Sequence, residues 1–175
     1  PDDSSVGVCA NFPAISAGTT QSVSLSIAAD HTWVSDLKFV LASPSGLTLT
    51  LMNRPGGGFY WMNLAASAPI TFADGMTTSA SVMGSGGVSS DVVCESDGLC
   101  HYSPAPNDAA SLASFAGFVG ATSSGVWSLC AYDLSFGDTG ALIRSSITVS
   151  RTYTCTAPTS TPTATSTPTA TSTPT

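Results

Sequence analysis

The sequence offers few residues able to act as acids, bases, nucleophiles or metal ligands: two histidines, His31 and His101, eleven carboxylates and five cysteines. His31 and Asp36 are close enough in sequence to suggest a base and its orienting carboxylate. A nucleophile served by that pair is missing, because in extended chain Ser35 faces away from its neighbours. Gly84-Ser85-Gly86-Gly87 lacks the strand–turn–helix setting in which a G-x-S-x-G serine is presented. His101, beside a cysteine-bounded loop, reads as an exposed loop histidine. No ordered set of nucleophile, base and orienter can be assembled, and the expectation is a chain without a catalytic centre.

Two further chemistries can be placed on particular residues. Asp133 and Asp138 bound one turn, and Asp30 and Asp36 bracket another loop, so these four are the candidate ligands for calcium, which takes about six to eight oxygens. The competing reading is that aspartates in glycine-rich turns hydrogen-bond their own backbone. Phe59, Tyr60 and Trp61 follow Pro55-Gly-Gly-Gly58 and form a candidate binding patch for glycans or proteins, or else fold back to cover a sheet edge.

Cys9, Cys94, Cys100, Cys130 and Cys155 contain no C-x-x-C pair, and neither histidine stands near paired cysteines, which argues against zinc. Cys94 and Cys100 enclose Glu95-Ser-Asp-Gly-Leu99, a turn-rich loop short enough for a disulfide to close. Cys9 with Cys155 would staple the domain ends, leaving Cys130 as an inert thiol or an intermolecular link. Disulfides of this kind belong to an oxidising, extracellular setting.

Charged residues are only 9% of the 175, with a formal net charge of −7; about 25% is ordinary for soluble domains. Lys38 is the only lysine, and Arg54, Arg144 and Arg151 are the only arginines. Without clustered cations there is no footprint for nucleic acid and no electrostatic membrane anchor. No apolar run approaches a membrane span. The sequence starts at Pro1 with neither initiator Met nor leader, so a processed N-terminus is expected. Ser, Thr, Gly and Ala must cover the surface, as in exported proteins and in bodies packed against neighbours.

The elements that would position these groups are strands. Apolar residues alternate with small polar ones in Val23–Ile27, Leu37–Leu41, Leu47–Leu51, Trp127–Ala131 and Ile143–Val149. Turns punctuate them at Ser43–Gly46, Pro55–Gly58, Gly84–Gly87 and Gly137–Gly140. The expected fold is an all-β antiparallel sandwich or jelly roll spanning residues 1–156, with about a single helical turn within Ala109–Gly120 and Phe115 and Phe118 in the core.

From Ala157 the composition changes to a Thr/Pro repeat that cannot bury a core. It reads as a solvated stalk. Thr159, Thr161, Thr163, Thr165, Thr167, Thr169, Thr171 and Thr173 are candidate O-glycan acceptors; there is no N-x-Ser/Thr sequon. Every odd position from Thr159 to Thr175 is threonine, and Pro158, Pro162, Pro168 and Pro174 are all even. In an extended strand the threonines share one face, and the missing N–H groups fall on one edge. Such a segment could add to the open edge of a neighbouring domain.

Two stretches together resemble a known family. They are His31-Thr-Trp-Val-Ser-Asp36 with Leu41-Ala-Ser-Pro-Ser-Gly46, and Leu112-Ala-Ser-Phe115 with Gly117, Gly125-Val-Trp127-Ser-Leu129-Cys-Ala-Tyr-Asp133, Gly137-Asp138-Thr-Gly140 and Ile147-Thr-Val149. In order and spacing they are similar to the P domain (P/homo B-like) that follows the catalytic domain of proprotein convertases and bacterial subtilisin-like proteases. The resemblance covers about residues 23–150. It implies a jelly roll of about eight strands, His31 buried against the adjacent strand and Asp36 capping a turn. Trp127, Leu129 and Ala131 share one strand parity and should face the core, with Asp133 and the Gly137–Gly140 turn closing a hairpin onto the last strand. Residues of roughly Asn53–Cys100 form an insert relative to that pattern.

The expected role is a non-catalytic extracellular structural module, a unit of a surface filament or stalk whose partners are copies of itself. The alternatives are an accessory module of a secreted protease and an adhesin for glycans or other cell-surface components. No nucleic acid and no membrane insertion are expected.

Overall fold

The computed structural model describes residues 6–153. The Thr/Pro segment and Cys155 lie outside the described residues, as do the readings that fall on them. Among the described residues eight strands form, β1 (Val8–Asn11), β2 (Thr19–His31), β3 (Leu37–Ala42), β4 (Thr48–Asn53), β5 (Ile70–Phe72), β6 (His101–Tyr102), β7 (Ser128–Asp133) and β8 (Gly140–Thr152). They make two four-stranded sheets with orders β1-β7-β3-β4 and β6-β5-β2-β8. The all-β sandwich expected from the alternation is therefore present, with one departure from purely antiparallel pairing: β5 and β6 run parallel.

Alternation decides which side chains meet between the sheets. The odd positions of β2 (Val23, Leu25, Ile27 and Ala29) are buried, while Ser24 and Ser26 between them are partly exposed. Phe39 and Leu41 of β3, Leu49 and Leu51 of β4, and Leu129 of β7 are also buried. Trp127, just ahead of β7, lies edge-on to Phe118 with ring centroids 5.0 Å apart. Phe118 and Phe115 belong to a single 3-10 turn, Phe115–Phe118. Asp74 fixes its start, accepting from the Phe115 and Ala116 N–H groups at 3.0 and 2.7 Å.

The Asn53–Cys100 insert is part of the core. Met62, Leu64, Ile70, Phe72, Ala80, Met83 and Val93 are all buried within it. Farther along, residues 105–112 run beside β4: Ala105 and Leu112 donate to the Leu51 and Thr48 carbonyls, and the Thr50 N–H donates to Ser111 Oγ. One end of this sheet is thereby covered. Lys38 Nζ, 2.9 Å from Asp108 Oδ2, ties the segment down and its hydrogen bond holds the Asp108 carboxyl below the usual range.

Three expectations are corrected. Cys9 pairs with Cys130, not with Cys155, and Cys130 is not left over. The two cysteines sit directly opposite each other across the β1–β7 ladder, a proximity invisible at a sequence separation of 121. The connection from β7 to β8 is not a hairpin: β7 pairs with β1 and β3, and β8 with β2, so the Gly137–Gly140 turn carries the chain from one sheet to the other. Gly137 has a positive φ of 111°, as such a turn needs, whereas Gly140 does not. Gly140 serves another purpose, since a Cβ there would lie 2.1 Å from the Asp30 carbonyl oxygen. Finally, the β2–β8 register shifts between Ala28 and Ala29, leaving Ile143 opposite no residue and exposed, with Leu142 turned inward in its place.

The Cys94–Cys100 bridge is present as expected. Asp97 Oδ1 organises its loop, accepting from the Cys94 and Leu99 N–H groups at 2.8 and 2.9 Å. Both bridges fit an oxidising compartment. Among the described residues no helix is long and apolar enough to cross a membrane.

Loop-closure entropy separates the bridges. Removing Cys9–Cys130 (Cys9→Ser with Cys130→Ser) should cost about 5 kcal/mol, and removing Cys94–Cys100 about 2 kcal/mol. Urea unfolding of the two double variants would measure this, and an inverted order would refute it. Peptide mapping of unreduced protein should join Cys9 to Cys130; a Cys9–Cys155 link would overturn the pairing.

Candidate functional site

The inward row of β2 ends on His31, and the inward row of Trp127, Leu129 and Ala131 ends on Asp133. The sheets bring these two polar termini together at one end of the sandwich. His31 Nε2 is 3.1 Å from Asp133 Oδ2, and both side chains are buried. His31 Nδ1 accepts from the Trp33 backbone N–H at 3.1 Å. An accepting Nδ1 puts the ring proton on Nε2, where it is donated to the carboxylate. Gly140 closes over the ring, since a Cβ at that position would lie 2.6 Å from His31 Cδ2. The His31 backbone also exchanges both hydrogen bonds with Leu64. Both nitrogens are committed and the ring cannot swing toward a substrate.

The sequence pairing of His31 with Asp36 is therefore replaced by His31 with Asp133. The signal was present: Asp133 shares the parity of Trp127, Leu129 and Ala131, and His31 that of Val23 to Ala29. Two ionisable residues at the ends of two core-facing rows require each other, since a buried charge without a partner is costly.

Ser35 is buried as a staple. Its Oγ lies 2.6 and 2.7 Å from the Pro55 and Tyr60 carbonyl oxygens and accepts from the Tyr60 N–H at 2.9 Å. Asp36 is buried at the foot of β3, where its carbonyl accepts from Leu134 N–H. Burial pushes its carboxyl above the usual range; Arg54, at 3.8 Å, works against this rise, and the Asp138 and Asp133 carboxylates add to it.

The four candidate calcium ligands each have another partner. Asp30 Oδ1 accepts from Ala66 N–H at 2.7 Å, Asp138 Oδ1 from Thr32 Oγ1 at 2.6 Å, Asp133 holds His31, and Asp36 faces Arg54. Among the described residues no group of three or more His, Cys, Asp or Glu is arranged to hold a metal ion. His101 is exposed but begins β6 rather than sitting in a loop.

The aromatic patch divides. Phe59 and Trp61 are 77% and 48% exposed, whereas Tyr60 is partly buried with its ring over Gly56, where a Cβ would lie 2.6 Å from it. Trp61 has a partner that the sequence reading missed: Trp33, with centroids 5.7 Å apart and planes tilted by 37°. Trp61 and Trp33 thus form a pair, while Tyr60 turns its ring onto Gly56.

No family model matches the chain, and no curated protein matches it. Among solved structures it is similar to the serine protease of Aeromonas sobria, both alone and in complex with the chaperone ORF2. Each comparison has 15% identity and a TM-score of 0.42, over 86% of this chain and 21% of the other. The chain spans about a fifth of the length of the protease chain it matches.

The His31–Asp133 pair should behave as a structural lock. His31→Ala, which strands a buried carboxylate, should cost about 3 kcal/mol in urea unfolding. Asp133→Asn, which still offers an acceptor to Nε2–H, should cost clearly less. Equal costs, or a His31→Ala variant as stable as the parent, would refute the lock.

Proposed function

We propose that this chain is a non-catalytic extracellular structural module, a unit of a surface filament or stalk in which sandwich domains are joined through their Thr/Pro segments. The observation that carries this reading is an apolar, low-charge flank on a disulfide-stapled body. Val8 on β1, Phe136 ahead of β8, Ile143 on β8 and Tyr153 just after it are 52%, 83%, 57% and 68% exposed. Only 9% of residues carry charge to offset them. Large apolar side chains left in water on so weakly charged a body favour a contact with another macromolecule. The commitment of His31, Ser35 and Asp133 to internal hydrogen bonds supports a role without turnover.

Negative-stain imaging and light scattering of the full chain over a range of concentrations test this. Linear assemblies of regularly spaced beads are expected, and a monomer at every concentration would refute it.

A second reading, an accessory P-domain-like module of a secreted subtilisin-like protease, is supported by the ordered motifs from His31 to Val149. It requires a subtilisin-like catalytic domain encoded in the same reading frame. A frame without one would remove it.

A further inference from the structure

The two sheets are closed unequally. At one end of the first sheet β4 is covered by residues 105–112, while at the other end β1 is the last strand. In the second sheet β8 is the last strand, and among the described residues no strand pairs with its second edge. Strand β8 is 13 residues long. An edge of that length is a template for another strand, and proteins usually blunt such edges with lysine, proline or shortening. Strand β8 has no lysine or proline; it carries Arg144, Arg151, whose guanidinium is held by the Ser16 carbonyl, and the bulge at Ile143.

Between β8 and the β1 side lies a seam of three depressions in a row. The first, about 270 Å³, is walled by Val8 and Ala131 on one side and Ala141 and Leu142 on the other, with Phe39 at its floor. The second lies between the stretch after β1 and Ser145–Ile147. The third reaches Thr152 and Tyr153. The row therefore follows β8 along its length. The inward-facing residues beside it report the same gap. Leu142, Ile147 and Val149 stay only partly buried, although their cross-strand partners Ala29, Leu25 and Val23 are 7% exposed or less. Among the described residues the sandwich lacks cover along this side.

We propose that the Thr/Pro segment of a second copy, residues 159–175, adds as a β-strand to the free edge of β8 and closes the seam with its threonine face. This rests on the structural-module reading above and names the contact that joins the modules. The segment's sequence fits the role in four ways. Its nine odd-numbered threonines are β-branched and line one face, with methyl groups small enough to enter a seam whose walls include Ala131, Ala141, Ser145 and Ser146. The same odd positions keep every N–H and C=O on one edge, so a full ladder can form with β8. All the prolines fall on the other edge, so the added strand accepts no further neighbour and the sheet stops there. Seventeen extended residues span about 55 Å, more than the roughly 43 Å of a 13-residue strand.

The donor is another molecule rather than the same one. To lie on its own β8, the chain would have to reverse within Tyr153–Pro158. The residues available, Tyr153-Thr-Cys-Thr-Ala-Pro158, include no Gly, Asn or Asp, the residues that tight hairpin turns demand. A strand given to the next copy is a head-to-tail contact, which propagates as an open polymer.

The test uses full-length protein and a full-length variant of identical composition, in which prolines change parity: Pro162→Thr with Thr163→Pro, Pro168→Thr with Thr169→Pro, and Pro174→Thr with Thr175→Pro. Hydrogen exchange of the β8 amides and sedimentation are followed against concentration. Wild type should protect β8 as concentration rises, and the variant should self-associate at least about tenfold more weakly, because its prolines now interrupt the pairing edge. Equal association of the variant, or β8 protection independent of concentration, overturns the proposal; the latter would place the segment on its own domain. Polymers with unprotected β8 also overturn it while leaving the structural-module reading standing. No association by either protein removes both.

Discussion

The register of two core-facing rows governs this structure. Val23, Leu25, Ile27 and Ala29 on β2 face Trp127, Leu129 and Ala131 along β7, and each row ends in a polar residue that can be buried only because the other ends in its partner. A slip of one residue in β2 would turn Ser24, Ser26 and Asp30 inward and separate His31 from Asp133. Hydrophobic burial supplies the attraction, but it is indifferent among registers that bury similar area. The His31–Asp133 hydrogen bond discriminates among them, since a misplaced pair leaves a buried carboxylate unmet. Gly140 belongs to the same constraint, because any side chain there would enter the space of Asp30 and the imidazole.

How much of this was legible in the sequence depended on whether the information was local. Strands announce themselves by period, so β2, β3, β4, β7 and β8 were readable from alternation and Phe115–Phe118 from composition. What failed was pairing between distant segments. Cys9 opposite Cys130 is a consequence of β1 lying beside β7, and a strand of four residues carries too little pattern to predict its neighbour. The turn at Gly137–Gly140 has the composition of a hairpin, yet the chain changes sheet there; turn chemistry is the same in both cases, and only the pairing of β8 with β2 decides. The bulge at Ile143 broke the parity of the last strand for the same reason.

The candidate site was legible in its residues and not in its connections. His31, Asp36, Asp133, Asp138 and Asp30 were all identified, and all have specific partners, but the partners differ from those that sequence proximity suggested. His31 and Asp133 are 102 residues apart, and their shared inward parity was the one clue linking them. Trp33 escaped notice beside Trp61 because nothing in either segment signals that the Asn53–Cys100 insert folds back over the His31–Asp36 corner. The backbone does so through Met62, whose carbonyl accepts from Val34 N–H, and through Ser35, which gathers Pro55 and Tyr60.

The Cys9–Cys130 bridge acquires its meaning from the open side of the sandwich. Strand β1 has four residues, three of them exposed, and would be easily lost from the edge of its sheet on ladder hydrogen bonds alone. Covalent attachment to β7 keeps it in place as one lip of the seam. The opposite lip is held by the long ladder between β2 and β8 and needs no such bond. A seam with two fixed lips has a defined width, and a groove of fixed width can select for small β-branched side chains where a yielding one could not. The staple thus stabilises the chain against unfolding and, by the same constraint, preserves the shape of the seam on which the proposed strand addition depends.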